Sequence, residues 1–149
     1  MDVKNKILLT GGTGYIGSHT AVELIHQGHE VTIVDDLSNS EFHTIKSIGK
    51  ITGIKPEFHK FDLRNFSSLK TLFRNNKFDG IIHLASLYLK SHKPHEANTL
   101  IDSNVRFSTY ILQCSAESNV EWFLNTGTFW QCYNSLTYSP VNLYSATKQ

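Results

Sequence analysis

The sequence predicts an α/β protein whose core is a doubly wound parallel sheet. Three observations carry that expectation. Short apolar runs of strand length alternate with longer runs of helical period. A glycine-rich turn, Gly11-x-x-Gly14-x-x-Gly17, joins the first strand-like run to the first helical one. The chain has 149 residues, 40% of them hydrophobic, which suits one domain with a real core. A β-α-β-α order implies crossover connections, hence parallel strands with helices on both faces.

The elements follow in order. Lys6 to Thr10 reads as a buried strand. Tyr15 to Gln27 reads as a helix, with Ile16, Ala21, Leu24 and Ile25 on one face and Gly28 as its stop signal. Glu30 to Val34 is a second strand, ending at Asp35. Phe42, Ile45, Ile48 and Ile51 recur at helical spacing, and Glu57 to Phe61 is a weaker strand. Ser67 to Asn75 is expected to be a short helix with Ser67 as N-cap. Gly80 to Leu84 is a strand, Thr99 to Ser118 a full helix, and Glu121 to Asn125 a further strand. Pro140 lies in a loop, and Tyr144 to Gln149 opens another helix. There is no internal repeat, low-complexity tract or linker.

Composition excludes several classes. A net charge of +1 with 18% charged residues argues against a nucleic-acid surface. No apolar run reaches membrane-span length, and the N-terminal apolar stretch runs straight into glycines, unlike a signal peptide. Cys114 and Cys132 fit free thiols in a reducing, cytoplasmic setting. His83, His92 and His95 match no zinc spacing, so no metal site is expected. Trp122, Trp130, Phe123 and Phe129 read as core or loop anchors, and Lys90 and Lys93 as a solvated face.

The glycine turn has a chemical reading. Its residues permit a tight turn, backbone approach to a pyrophosphate, and close packing of helix on strand. The helix start then offers N–H groups and the positive end of its dipole to phosphates. Asp35 stands at the spacing expected for a carboxylate that accepts the adenosine ribose hydroxyls. That carboxylate would repel a 2′-phosphate, and no arginine stands beside it in VDDLSNS, so NAD is favoured over NADP. Further on, Tyr144 and Lys148 are four residues apart and would share a helix face. An ammonium near a phenol favours the phenolate and suits proton transfer.

On these residues the sequence resembles the extended short-chain dehydrogenase/reductase family, also called the NAD-dependent epimerase/dehydratase family. TGGTGYIGSHTAVELIHQGHEVTIVDDLSNS is similar to the start of the UDP-glucose 4-epimerase branch. The stretch from NTGTFWQCY through PVNLYSATKQ is more similar to CDP-abequose-type 4-ketoreductases. The resemblance implies a Rossmann-type NAD-binding domain over residues 1–149 and a C-terminal substrate domain that is absent here. It implies cofactor contacts from Gly11, Gly14, Tyr15, Ile16 and Gly17 at the turn, and from Asp35, Asp36, Asn39 and Ser40 after the second strand. Asp62 and Leu63 would hold the adenine, and Leu84, Ala85 and Ser86 would line the dinucleotide together with Asn104, Tyr144 and Lys148. The catalytic set would be Thr126, Tyr144 and Lys148, with Thr128 competing for the threonine role.

Two departures stand out. Tyr88 occupies the place where the epimerases carry a lysine. Gly127 and Thr128 follow Thr126 where the dehydratase branch has Asp-Glu, which argues against water elimination. The expected function is therefore an NAD-dependent nucleotide-sugar 4-epimerase, present as an N-terminal fragment or remnant and inactive alone. One alternative is a 4-keto-deoxysugar reductase, and another is a non-catalytic NAD-binding domain. The full-length form is expected to bind a nucleotide sugar and to be a homodimer.

Overall fold

A computed structural model describes residues 4–148. Five parallel strands form one sheet in the order β3-β2-β1-β4-β5. They are β1 (Lys6–Thr10), β2 (Glu30–Asp35), β3 (Glu57–Lys60), β4 (Gly80–His83) and β5 (Trp122–Asn125). The helices are α1 (Tyr15–His26), α2 (His43–Thr52), α3 (Phe66–Asn75), α4 (Ala97–Ile101), α5 (Phe107–Glu117) and the short α6 (Leu143–Ala146). The doubly wound α/β architecture expected from the alternation is the one observed.

The strand residues alternate between two cores, as a two-residue period requires. Ile7, Leu9, Val31, Ile33 and Ile82 face α1 and α2, meeting Ala21, Ile25, Ile45 and Ile48. Leu8, Val34 and Ile81 face the other way, against Leu69, Leu72 and Phe73 of α3 and Phe107, Ile111 and Cys114 of α5. Each such side chain contributes roughly 1.5–3 kcal/mol by leaving water. Covering both faces accounts for the near-continuous apolar run KILL of β1. Gly80 makes room for its β5 register partner, since a Cβ there would lie 2.0 Å from the Trp122 ring.

Several expectations are corrected. Ile16 is 64% exposed, and the buried face of α1 is Gly17, Ala21 and Ile25. Gly17 presses against the glycine turn and sets the phase of the helix. Of the apolar residues expected at helical spacing, Ile45 and Ile48 are buried and Phe42 and Ile51 exposed, while Phe129 is exposed in the loop after β5. α3 is capped by Asn65, whose side chain accepts from the Ser68 N–H at 3.1 Å, not by Ser67. The long helix expected over Thr99 to Ser118 is broken in register by a π-helical stretch, Asp102–Arg106, between α4 and α5. Of the helix expected over Tyr144 to Gln149, α6 forms the start and Gln149 lies outside the described residues. Cys114 is buried and Cys132 exposed, both as free thiols. No helix among the described residues is long and apolar enough to cross a membrane.

Candidate active site

The strand order reverses between β1 and β4, and a cleft opens at the carboxyl ends of the strands there, where such sheets bind ligands. Its volume is about 450 Å³. Among its walls are Gly11, Gly14, Asp35, Asp36, Asn39, Ser40, Asp62, Leu63, Leu84, Ala85 and Ser86. The sequence named these residues for cofactor contact, and the fold draws them together from four separate loops.

The glycine turn forms one wall. Gly11 has φ +69°, and a Cβ on it would lie 2.8 Å from the Ala85 nitrogen. A Cβ on Gly17 would lie 2.2 Å from the Gly11 carbonyl oxygen. α1 is thus locked against the turn at the cost of any side chain. Gly14 is the N-cap and no side chain caps the helix, so the first N–H groups are left for another acceptor. Tyr15 and Ile16 open α1 with side chains exposed, and Gly17 is buried.

Asp35 at the end of β2 braces this wall. Its carboxylate accepts from the Thr13 N–H (3.2 Å), the Leu37 N–H (2.9 Å) and the Ser40 hydroxyl (3.2 Å). The Thr13 and Ser40 hydroxyls meet at 2.6 Å. A single carboxylate therefore fixes the glycine turn to the loop after β2. Asp36 accepts from the Ser38 N–H, and Asp62 accepts from the Arg64 backbone and guanidinium. Those bonds hold the Asp62 carboxyl below the usual range, against burial that raises it.

The other end is built on the segment after β4. His83 is fully buried, bonded through Nδ1 to the Thr10 hydroxyl (2.7 Å) and through Nε2 to the Ser108 hydroxyl (2.9 Å). Burial, and then the Lys148 charge, lower its pKa to about 3, so the ring is neutral. Asn104, in the π-helical stretch, does not line the cleft. Its amide accepts from the Leu87 N–H (2.8 Å) and donates to the Leu87 carbonyl (3.0 Å) and the Thr147 hydroxyl (3.0 Å). Asn104 is thus a clamp that ties the post-β4 segment to the chain just beyond α6.

Thr126 and Tyr144 approach this region, at His83 and Tyr88 respectively, without bonding to one another or to Lys148. The Thr126 hydroxyl donates to the His83 carbonyl (3.1 Å). Tyr144 is half-buried in α6. Burial raises the Tyr144 pKa, the Ser86 side chain opposes this, and neighbouring Tyr88 adds to it. Lys148 follows α6 in a tight turn, buried, and burial lowers its pKa. Tyr88 stands edge-on to Tyr144 (5.0 Å between ring centres) and near Trp130 (6.0 Å).

Some participants were missed from sequence. Arg64, Ser38, Phe61, Leu87, Thr99, Ser103 and Phe107 also line the cleft. Arg64 directly follows the Asp62-Leu63 pair and could have been read with it. Gln131 carries no local signal. It accepts from the Thr128 N–H (2.7 Å) and donates to the Lys148 carbonyl (2.9 Å), joining the loop after β5 to the end of α6. Among the described residues no cluster of His, Cys, Asp and Glu could hold a metal.

A glycine turn opening an uncapped helix, an acid ending β2 and a tyrosine–lysine pair beside β4 define a dinucleotide-binding enzyme domain. The chain belongs to the NAD dependent epimerase/dehydratase family, whose model matches residues 7–149. It is 38% identical over 115 residues to the UDP-glucose 4-epimerase of Neisseria meningitidis serogroup B, covering 77% of this chain and 34% of that protein. It is 32% identical over 158 aligned positions to an Arabidopsis thaliana bifunctional UDP-glucose and UDP-xylose 4-epimerase, covering 98% and 45%. The solved UDP-glucose 4-epimerase of Stenotrophomonas maltophila, with bound NAD and formylated UDP-arabinopyranose, superposes with a TM-score of 0.87 at 30% identity, covering 97% and 45%. The chain therefore spans between a third and a half of these relatives' length.

Proposed function

We propose that this chain is the NAD-binding part of a nucleotide-sugar 4-epimerase acting on UDP-hexoses. The observation that carries the reading is one cleft, running from the acid at the end of β2, past the glycine turn, to Leu84–Leu87 after β4, a segment that Asn104 ties to the chain just beyond α6. The walls fit NAD. The uncapped start of α1 suits the pyrophosphate, Asp35 suits a ribose diol, and Leu63 and Phe61 give an apolar seat for a base. NAD bound there supplies reversible hydride transfer at a sugar carbon.

The chain's own residues manage the proton. Tyr144, whose pKa burial raises, exchanges a proton with the sugar C4 oxygen. Thr126, whose proton is committed to the His83 carbonyl, keeps lone pairs to accept from a substrate hydroxyl. Lys148, buried just beyond α6, would supply a cation near the reactive end of the cofactor. Exposed Ile101, Val105 and Leu112 along α4 to α5 support a homodimer, and the two free thiols support a cytoplasmic setting.

Tyr88 favours a second reading, one-way reduction of a 4-keto deoxysugar, because it puts an aromatic ring where the epimerases put a charge. The test is a chimera. Residues 1–149 replace the corresponding segment of the Neisseria epimerase, and UDP-galactose conversion is followed. Activity that is lost in Tyr144→Phe supports the proposal. A folded, NAD-loaded chimera that only reduces 4-keto sugars favours the second reading, and one that does neither sinks both.

A further inference from the structure

One basic side chain in the cleft is not used by the reading above. Arg64 enters from the turn between β3 and α3 and lines the cleft beside Phe61, Asp62 and Leu63. Asp62 grips it through both carboxylate oxygens: Nε donates at 3.0 and 2.9 Å, and Nη2 donates as well. The Arg64 backbone N–H donates to the same carboxylate at 2.9 Å. Asp36, at the end of β2, and Asp102, in the π-helical stretch, lie close enough to act on the guanidinium charge. The side chain is thus fixed to its own turn by Asp62.

This arrangement has little value for stability. The pair is substantially exposed, with side-chain accessibilities of 42% and 36%, and such pairs contribute about 0–1 kcal/mol. It has more value as a surface for a ligand. A guanidinium is planar, delocalised and weakly hydrated, and it stacks on aromatic faces. With its edge occupied by Asp62, its flat face is what remains for a partner. The apolar neighbours Phe61 and Leu63 suit a flat, uncharged ring.

We infer that Arg64, held flat by Asp62, covers one face of the adenine and so contributes to cofactor affinity at the end of the cleft remote from the chemistry. The inference rests on the NAD reading and adds a residue to it. Its selectivity is for a purine ring, not for phosphate, because Asp62 already occupies the guanidinium edge and offsets its charge. Lysine cannot replace it, since a point charge on a flexible stem offers no planar face.

Calorimetric titration of residues 1–149 separates the possibilities, with 5′-AMP, NAD and nicotinamide mononucleotide as ligands. Arg64→Ala should weaken AMP and NAD about three- to tenfold and leave the mononucleotide unchanged. Arg64→Lys should keep most of that loss. A wild-type chain that binds NAD, with Arg64→Ala binding AMP within about twofold of it, overturns the inference alone. An equal loss for all three ligands, or full recovery by lysine, also overturns it by pointing to charge. A wild-type chain that binds neither AMP nor NAD overturns the inference and the NAD reading together. Thermal melts of both variants check that the fold is intact.

Discussion

Replacing Asp35 by alanine separates its two roles. In the protein alone, the carboxylate holds two backbone N–H groups and the Ser40 hydroxyl. Hydrogen bonds of this kind contribute about 1 kcal/mol each, so Asp35→Ala should cost about 2–3 kcal/mol. For a domain of this size that is a fall in Tm of about 5–10 °C by calorimetry. With cofactor, a ribose diol donating to the carboxylate adds charge-assisted bonds of about 1.5–3 kcal/mol each. NAD affinity should therefore fall by at least about a hundredfold, measured by titration well below the Tm. NADPH, repelled by the same carboxylate, should lose far less, and the NAD preference of the wild type should shrink. A variant whose Tm falls while its NAD affinity and preference stay put would refute the ribose assignment. Asp35 would then be a strut for the glycine turn and nothing more.

Three further outcomes are expected. His83 is held neutral in the fold with a pKa of about 3, against 6.5 for a free histidine, so the unfolded chain takes up a proton that the folded chain refuses. Stability is full above about pH 6.5 and falls as pH drops towards 3, by about 1.4 kcal/mol per unit, which is about 2 kcal/mol by pH 5. Urea melts should show this slope, and His83→Gln should flatten it. Gly80→Ala drives a Cβ into the Trp122 ring and should cost about 1–3 kcal/mol, with a shift in tryptophan fluorescence. Asn104→Ala leaves the Leu87 backbone and the Thr147 hydroxyl without their partner. It should lower stability by about 2–4 kcal/mol and speed amide exchange around Leu87 and Thr147.

The sheet was readable because strands covered on both faces leave strong apolar runs and the glycine turn punctuates them. β1 runs from Lys6 to Thr10 as read, and β2 differs from its reading only at Asp35. The phase of α1 was not readable. It is set by Gly17 against Gly11, a contact that apolar periodicity does not see. The π-helical register at Asp102–Arg106 was also hidden, since its local sequence is an ordinary helical one and the Asn104 bonds made from it reach distant segments. In the site, Asp35 and the glycines were legible from spacing. The meeting of Tyr88 with Tyr144 and of Gln131 with the Lys148 carbonyl depends on tertiary approach and left no pattern.

The most direct test of the account is a chemical-shift map of isotope-labelled residues 1–149 titrated with NAD. The expected result is saturable shifts at Gly11–Gly17, Asp35–Ser40, Asp62–Arg64 and Leu84–Leu87, extending to Tyr144. Those are the walls of one cleft and the residue at its reactive end. The contradicting result is no saturation, or shifts gathered at the opposite end of the strands around Lys4, His29 and Lys55, where a smaller hollow lies.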